Sequence, residues 1–248
     1  MLRAFRRHRR SLTLDRWARK VADGEIDPKD AQALALGDAD KPDALYIPVP
    51  KAANTSIRTA LLPCYGLKTE DVRRVHRDTR LDVRSLKAAL ADADEGAYIF
   101  TVVRHPATRV LSAYSNKIGR FKPRFGHAAR LGIAKSSSFD EFLEILSTAS
   151  PWAIDGHFKP QATWLHYGLR DARTQIFKME TLRDDWPSVH AALAARLPVG
   201  PEPELDILNA TKTPKDSFTT RQKRLIDGIF GEDFERFGYS WDDLAPRT

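Results

Sequence analysis

A three-layer α/β fold, with a mainly parallel central sheet flanked by helices, is predicted by three features of this chain. Tyr98-Ile-Phe-Thr-Val-Val103 is an unbroken apolar and β-branched run, the pattern of a strand buried on both faces of a parallel sheet. Strand-like runs at Ala44–Val49, Tyr98–Val103 and Thr174–Met179 are each followed by a helix-like segment, so strands and helices alternate. Two of those junctions, Lys51-Ala52-Ala53-Asn54-Thr55-Ser56 and Arg104-His-Pro-Ala-Thr-Arg109, place cations and hydroxyls in the turn between strand and helix. In an open α/β sheet such turns lie at the carboxyl ends of strands, where ligands bind.

In chain order, residues 1–43 read as a basic N-terminal arm and a short helix, ahead of one domain over 44–248. The arm carries Arg3, Arg6, Arg7, Arg9, Arg10, Arg16, Arg19 and Lys20 with no apolar core behind them, so no secretory signal is expected. Its charge suits a solvated arm or peripheral docking on an acidic membrane surface. Pro28–Leu36 reads as the short helix, capped by Asp27, and Gly37–Pro42 as a polar connector. A helix over Thr55–Leu62 should stop at Pro63 and Gly66, and Val83, Leu86, Ala89 and Leu90 recur at helical spacing. Pro106 suits a first helical position, so a helix runs from there to about Lys117 with Arg109, Ser112 and Asn116 on one face. Gly119–Ser138 is a long basic loop, and Phe139–Leu146, Val189–Leu197 and Thr219–Phe237 read as amphipathic helices.

Composition narrows the classes. With 42% apolar and 29% charged residues and no apolar run near ~20 residues, a soluble, cytoplasmic protein is expected. The single cysteine, Cys64, excludes an internal disulfide and fits a reducing compartment. A net charge of +7 favours anionic partners.

The chemistry lies in the two turns. A helix start aims unpaired backbone N–H groups and a positive dipole end at an anion, and two such turns suggest a ligand with two phosphate clusters. The first is not a Walker loop, which needs glycine at both ends and lysine just before the helix hydroxyl. Here Lys51 comes first, the small Ala52 and Ala53 allow close backbone approach, and Thr55 and Ser56 offer hydroxyls. In the second, Arg104, Arg109 and Ser112 can grip a terminal phosphate through charge-assisted hydrogen bonds.

Together these segments resemble the sulfotransferases that use 3′-phosphoadenosine 5′-phosphosulfate (PAPS), in particular the carbohydrate branch with the chondroitin and dermatan enzymes. Lys51–Ser56 is similar to that family's 5′-phosphosulfate loop, and Arg104-His-Pro-Ala-Thr-Arg109-Val-Leu-Ser112-Ala-Tyr114 to its 3′-phosphate motif, with His105 in place of the usual acidic residue and Ala53 where glycine or cysteine is common. Phe139-Asp-Glu-Phe142-Leu, Asp155-Gly-His157-Phe-Lys-Pro-Gln161 and Phe177-Lys-Met-Glu180-Thr-Leu-Arg-Asp-Asp185 resemble further family segments in the same order.

The resemblance implies a P-loop-like fold, PAPS as donor, no metal, and a hydroxyl of a carbohydrate or glycoconjugate as acceptor. It implies that Lys51 stabilises the leaving phosphate, that Ala52, Ala53, Asn54, Thr55 and Ser56 hold the 5′ end, and that Arg104, Arg109 and Ser112 hold the 3′-phosphate. Lys212 would lie in a segment that covers the nucleotide. A histidine of near-neutral pKa suits removal of the acceptor's proton. His76, between the two phosphate motifs as in the resembling enzymes, ranks ahead of His157 for that role. Two other readings stand beside this one: a divergent P-loop kinase or NTPase, disfavoured by the Walker spacing, and a basic nucleic-acid-binding module, for which no recognised motif is present. No nucleic-acid partner is therefore expected.

Overall fold

The computed structural model describes residues 31–67, 75, 78, 80–118, 131–134, 136–149, 154–199, 205 and 218–244. The basic arm, His76, most of the Gly119–Ser138 loop and Lys212 lie outside them. The described residues divide into two compact units, one drawn from 31–105 and 165–205, the other from 106–164 and 218–244.

The first unit is built on five strands: β1 (Gln32–Leu36), β2 (Ala44–Ile47), β3 (Val83–Ser85), β4 (Tyr98–Val103) and β5 (Thr174–Lys178). Their order is β3-β1-β2-β4-β5. β2, β4 and β5 run parallel, whereas β1 is antiparallel to both β2 and β3, so the sheet is mixed with a parallel half that carries both cationic turns. All four residues of β2 and all six of β4 are buried, as a strand covered on both faces requires.

Helices cover both faces. On one, Leu34, Leu36, Tyr46, Phe100 and Val102 form a core with Ile57 and Leu61 from the region of α1 (Asn54–Ala60) and with Trp186 and Val189 of α6 (Leu182–Ala194). α2 (Leu86–Asp92) packs on β1 and β2. A glycine is required at 168, where a Cβ would come within 2.8 Å of Ile47 Cδ1.

Two of the expected helical segments contain strand. Of the helix read over Pro28–Leu36, the described stretch Gln32–Leu36 is instead β1, because Gly37 (φ 95°) and the Asp38 turn fold the chain into a hairpin whose Leu34 pairs with Tyr46. Pairing with an existing sheet overrides the helix propensity of Ala-Leu-Ala-Leu. The helical spacing from Val83 likewise contains a short edge strand, and the helix starts only at Leu86, where the Ser85 hydroxyl accepts the Ala88 N–H.

The second unit is helical: α3 (Pro106–Lys117), α4 (Phe139–Ser147), α5 (Gln161–Trp164) and α7 (Thr220–Phe237). Its core joins Val110, Phe142, Leu146, Phe158, Ile226 and Phe230. Capping boxes at Ser138/Glu141 and Thr219/Gln222 satisfy the first N–H groups of α4 and α7, which is why both helices begin where the sequence places them.

Candidate active site

β2 ends at Ile47, whose carbonyl accepts the buried Thr101 hydroxyl at 2.8 Å, so the ends of the two central parallel strands are tied together. The chain then passes Pro48 and Pro50 and turns through Lys51 (φ 71°) and Ala53 (φ 50°) into α1. Two non-glycine residues in the left-handed region are unusual in one short turn, and such strain gathers at functional sites. It also explains why a small residue stands at 53, which is 8% exposed. No side chain caps α1. Ser56 is buried, and Asn54 is oriented by the buried Arg58, whose Nε donates to Asn54 Oδ1 at 3.0 Å. Burial holds the Arg58 guanidinium below its ordinary pKa.

Arg104 follows β4 and is itself buried. Its Nη1 donates to the Lys51 carbonyl at 3.2 Å, which puts the two turns in direct contact. The backbone beyond Arg104 is anchored from β5: the His105 N–H donates to Glu180 Oε1 at 2.8 Å. Glu180 is set in turn by the Met179 N–H on the Val103 carbonyl (2.7 Å), while Thr181 Oγ1 donates to Asp185 Oδ2 (2.7 Å) at the start of α6. The Glu-Thr-Leu segment therefore shapes the turn that carries Arg104.

Residues 38–240 match the family model described as Sulfotransferase family. The chain belongs to the sulfotransferase family. No curated protein and no solved structure gives a match. As a sulfotransferase the protein is a transferase of sulfuryl groups, and its α/β fold, with a five-stranded, mostly parallel sheet flanked by helices, is consistent with the P-loop-like fold of that family.

Of the residues singled out in the sequence of this sulfotransferase, Lys51 to Ser56 and Arg104 fall in the sheet unit and meet there. Arg109, Ser112 and His157 belong to the helical unit. Ser112 is buried on α3. Arg109 is fully buried, with Nη1 on the Lys159 carbonyl (2.8 Å) and Nη2 on the Gly156 carbonyl (3.3 Å). Neither His76 nor Lys212 lies among the described residues.

His157 is held by Asp155, whose Oδ1 lies 2.8 Å from Nδ1 and also accepts the His157 N–H at 3.0 Å. An ionised carboxylate can only accept, so Nδ1 is the protonated nitrogen of this pair and Nε2 is the basic one. The sequence signal for Asp155 was its spacing two residues before the histidine. Asp233, which accepts the N–H groups of Gln161 (2.8 Å) and Ala162 (2.7 Å), had none, because it lies far along the chain in α7.

Among the described residues no group of three His, Cys, Asp or Glu could hold a metal ion. No helix there is long and apolar enough to cross a membrane.

Proposed function

We propose that this sulfotransferase moves the sulfuryl group of PAPS to a hydroxyl of a carbohydrate or glycoconjugate, as in the chondroitin and dermatan branch. The observation that carries the reading is the contact of the Arg104 guanidinium with the Lys51 carbonyl, which joins two cationic turns at the ends of neighbouring parallel strands. A donor with phosphate at both its 5′ and 3′ positions fits such a pair of turns.

In this reading the Lys51 ammonium and the N–H groups of Ala52 to Ser56 face the 5′-phosphate. There they stabilise the negative charge that grows on the bridging oxygen as the bond to sulfur breaks. The family resemblance assigns Arg104 and Ser112 to the 3′-phosphate and Lys212 to a segment that covers the nucleotide. Arg109, read from the sequence with them, donates to the carbonyls of Lys159 and Gly156, and backbone support is the task proposed for it in place of the 3′-phosphate. Sulfuryl transfer, like phosphoryl transfer, needs alignment and charge stabilisation more than covalent catalysis, and no step here calls on a metal.

The acceptor hydroxyl must lose its proton. His157 is the better supported base among the described residues, since Asp155 fixes its tautomer with Nε2 as the acceptor; His76 remains the alternative. The net charge of +7 suits an acidic glycan. The single Cys64, with its thiol pushed up to about 11 by burial, suits an unreactive cysteine in a reducing compartment.

The test is transfer of labelled sulfate from PAPS to a panel of glycans, with His157→Ala and His76→Ala assayed in parallel. The reading expects transfer by the unaltered protein and loss in one of the two variants. No transfer to any glycan, with nucleotide stabilisation only by ATP and Mg²⁺, would instead mark a kinase.

A further inference from the structure

The segment that carries His157 is gripped along its backbone by two buried side chains of opposite charge. Arg109 of α3 donates to the carbonyls of Gly156 and Lys159, and Asp233 of α7 accepts the N–H groups of Gln161 and Ala162 at the start of α5. Gln161 Nε2 adds a longer bond to Asp233 Oδ2 at 3.4 Å. Both clamp residues are completely buried, as are Lys159 and Gln161. Between the gripped points the chain turns tightly, with the Phe158 and Lys159 N–H groups on the Asp155 carbonyl (2.8 and 2.9 Å). Phe158 sets its ring edge-on to Phe142 at 5.0 Å. Gly156 has no room for a side chain, since a Cβ there would lie 2.2 Å from Trp164 Cζ3.

A buried guanidinium and a buried carboxylate are an expensive pair to place in a core, and a pair of well-packed apolar residues of similar size often serves stability as well. What this pair supplies, and apolar residues do not, is four directed bonds to the backbone on either side of one half-exposed imidazole. Desolvation raises the Asp233 carboxyl above its ordinary pKa, while Arg109 and the N–H groups of Ala162 and Gln161 pull it the other way.

We infer that Arg109 and Asp233 are positioning residues that fix the backbone from Gly156 to Ala162, and through it the direction in which the Asp155–His157 pair presents Nε2. The inference rests on the proposed role of His157 as base, and it gives Arg109 a task other than binding the 3′-phosphate. Arg109 and a phosphate ligand then behave differently when altered: a positioning residue changes turnover and leaves nucleotide affinity alone.

The experiment compares the unaltered protein with Arg109→Lys, Asp233→Asn and the double variant Arg109→Met with Asp233→Asn, which removes both charges of the clamp together. Five quantities are read: the Kd for adenosine 3′,5′-bisphosphate, kcat and KM for transfer, amide exchange of residues 156–162, and the ¹⁵N shifts that report the His157 tautomer. The inference expects a bisphosphate Kd within about threefold of the unaltered protein in folded variants. It also expects faster exchange at Gln161 and Ala162, a mixed His157 tautomer, and kcat lower by up to about 10²-fold, the scale of a 1 Å misplacement.

A tenfold or greater weakening of bisphosphate binding in Arg109→Lys would overturn it by making Arg109 a phosphate ligand. Unchanged exchange and an unchanged tautomer would overturn it by removing the positioning role, and full turnover in His157→Ala would overturn its catalytic meaning. Exchange and tautomer are read without nucleotide, so they still judge the clamp if the unaltered protein fails to bind the bisphosphate, a failure that would fall on the proposed function.

Discussion

Lys51 and Ala53 pass through left-handed backbone just ahead of α1, and substitutions at the two residues separate chemistry from backbone. Lys51→Met is expected to keep the melting temperature within a few degrees and to lower kcat by about 10²–10³-fold, the scale of losing one preorganised donor to a developing oxyanion. Ala53→Gly relieves the left-handed penalty of about 1–2 kcal/mol but enlarges the unfolded ensemble, so its net effect on stability should stay within about 1 kcal/mol. Ala53→Val adds β-branching at φ 50° in a buried position and should lose about 2 kcal/mol or more, measured by denaturant unfolding. The sequence exposed the need for a small residue at 53 but not the reason. Only the torsion angles reveal that the turn bends twice in a region where side chains are disfavoured.

Among the elements, the edge of the sheet unit is secured by one arginine. Arg173 pairs with Asp171 through Nε (3.0 Å) and Nη2 (2.7 Å) and reaches back to the carbonyls of Asp94 (2.5 Å) and Leu90 (3.4 Å), tying the end of α2 to the start of β5. Its side-chain bonds hold the Asp171 carboxyl below the ordinary aspartate value. Because the native pKa is lowered, the stability gained is complete above about pH 3.9 and is lost as pH falls through the lower native value. Arg173→Gln should therefore cost about 1–2 kcal/mol near neutrality and flatten the acid side of a melting-temperature profile. At the hairpin between β1 and β2, Gly37 combines φ 95° with a Cβ position only 2.1 Å from Asp43 Oδ2, so Gly37→Ala should destabilise by more than about 1 kcal/mol in the same measurement.

The same hairpin marks the limit of what local pattern reveals. β4 was legible because an apolar run followed by a turn has few alternatives, β5 because its Thr174, Ile176 and Phe177 favour a strand, and α3 because Pro106 announces its first turn. β1 was not, since Gln-Ala-Leu-Ala-Leu carries helix propensity and becomes a strand only by pairing with β2. α6 begins at Leu182, ahead of Pro187, where the sequence places it only from Val189; the Thr181–Asp185 bond secures a first turn that the proline had hidden.

At the scale of the whole molecule, each unit has its own core, and the chain crosses from one to the other right after Arg104 and His105. The cationic turns were legible because residue types and spacing carry the chemistry of phosphate binding. The contact between them follows from β2 and β4 being neighbours, which no local window contains. The grip of Arg109 and Asp233 on the His157 segment was hidden for a related reason: its members come from distant parts of the sequence, where Arg109 reads as a phosphate ligand and Asp233 as an ordinary charge on an amphipathic helix.

The central claim, that the turns of Lys51 and Arg104 hold the two ends of one doubly phosphorylated adenosine, is tested most directly by calorimetric titration. Adenosine 3′,5′-bisphosphate and AMP are each titrated, without metal, into the unaltered protein and into Arg104→Ala. The account predicts that the unaltered protein binds the bisphosphate at least about tenfold more tightly than AMP, a difference of about 1.4 kcal/mol, and that Arg104→Ala abolishes this preference while AMP affinity stays nearly constant. Equal affinity for the two nucleotides in the unaltered protein, or a preference that survives the loss of Arg104, would contradict it.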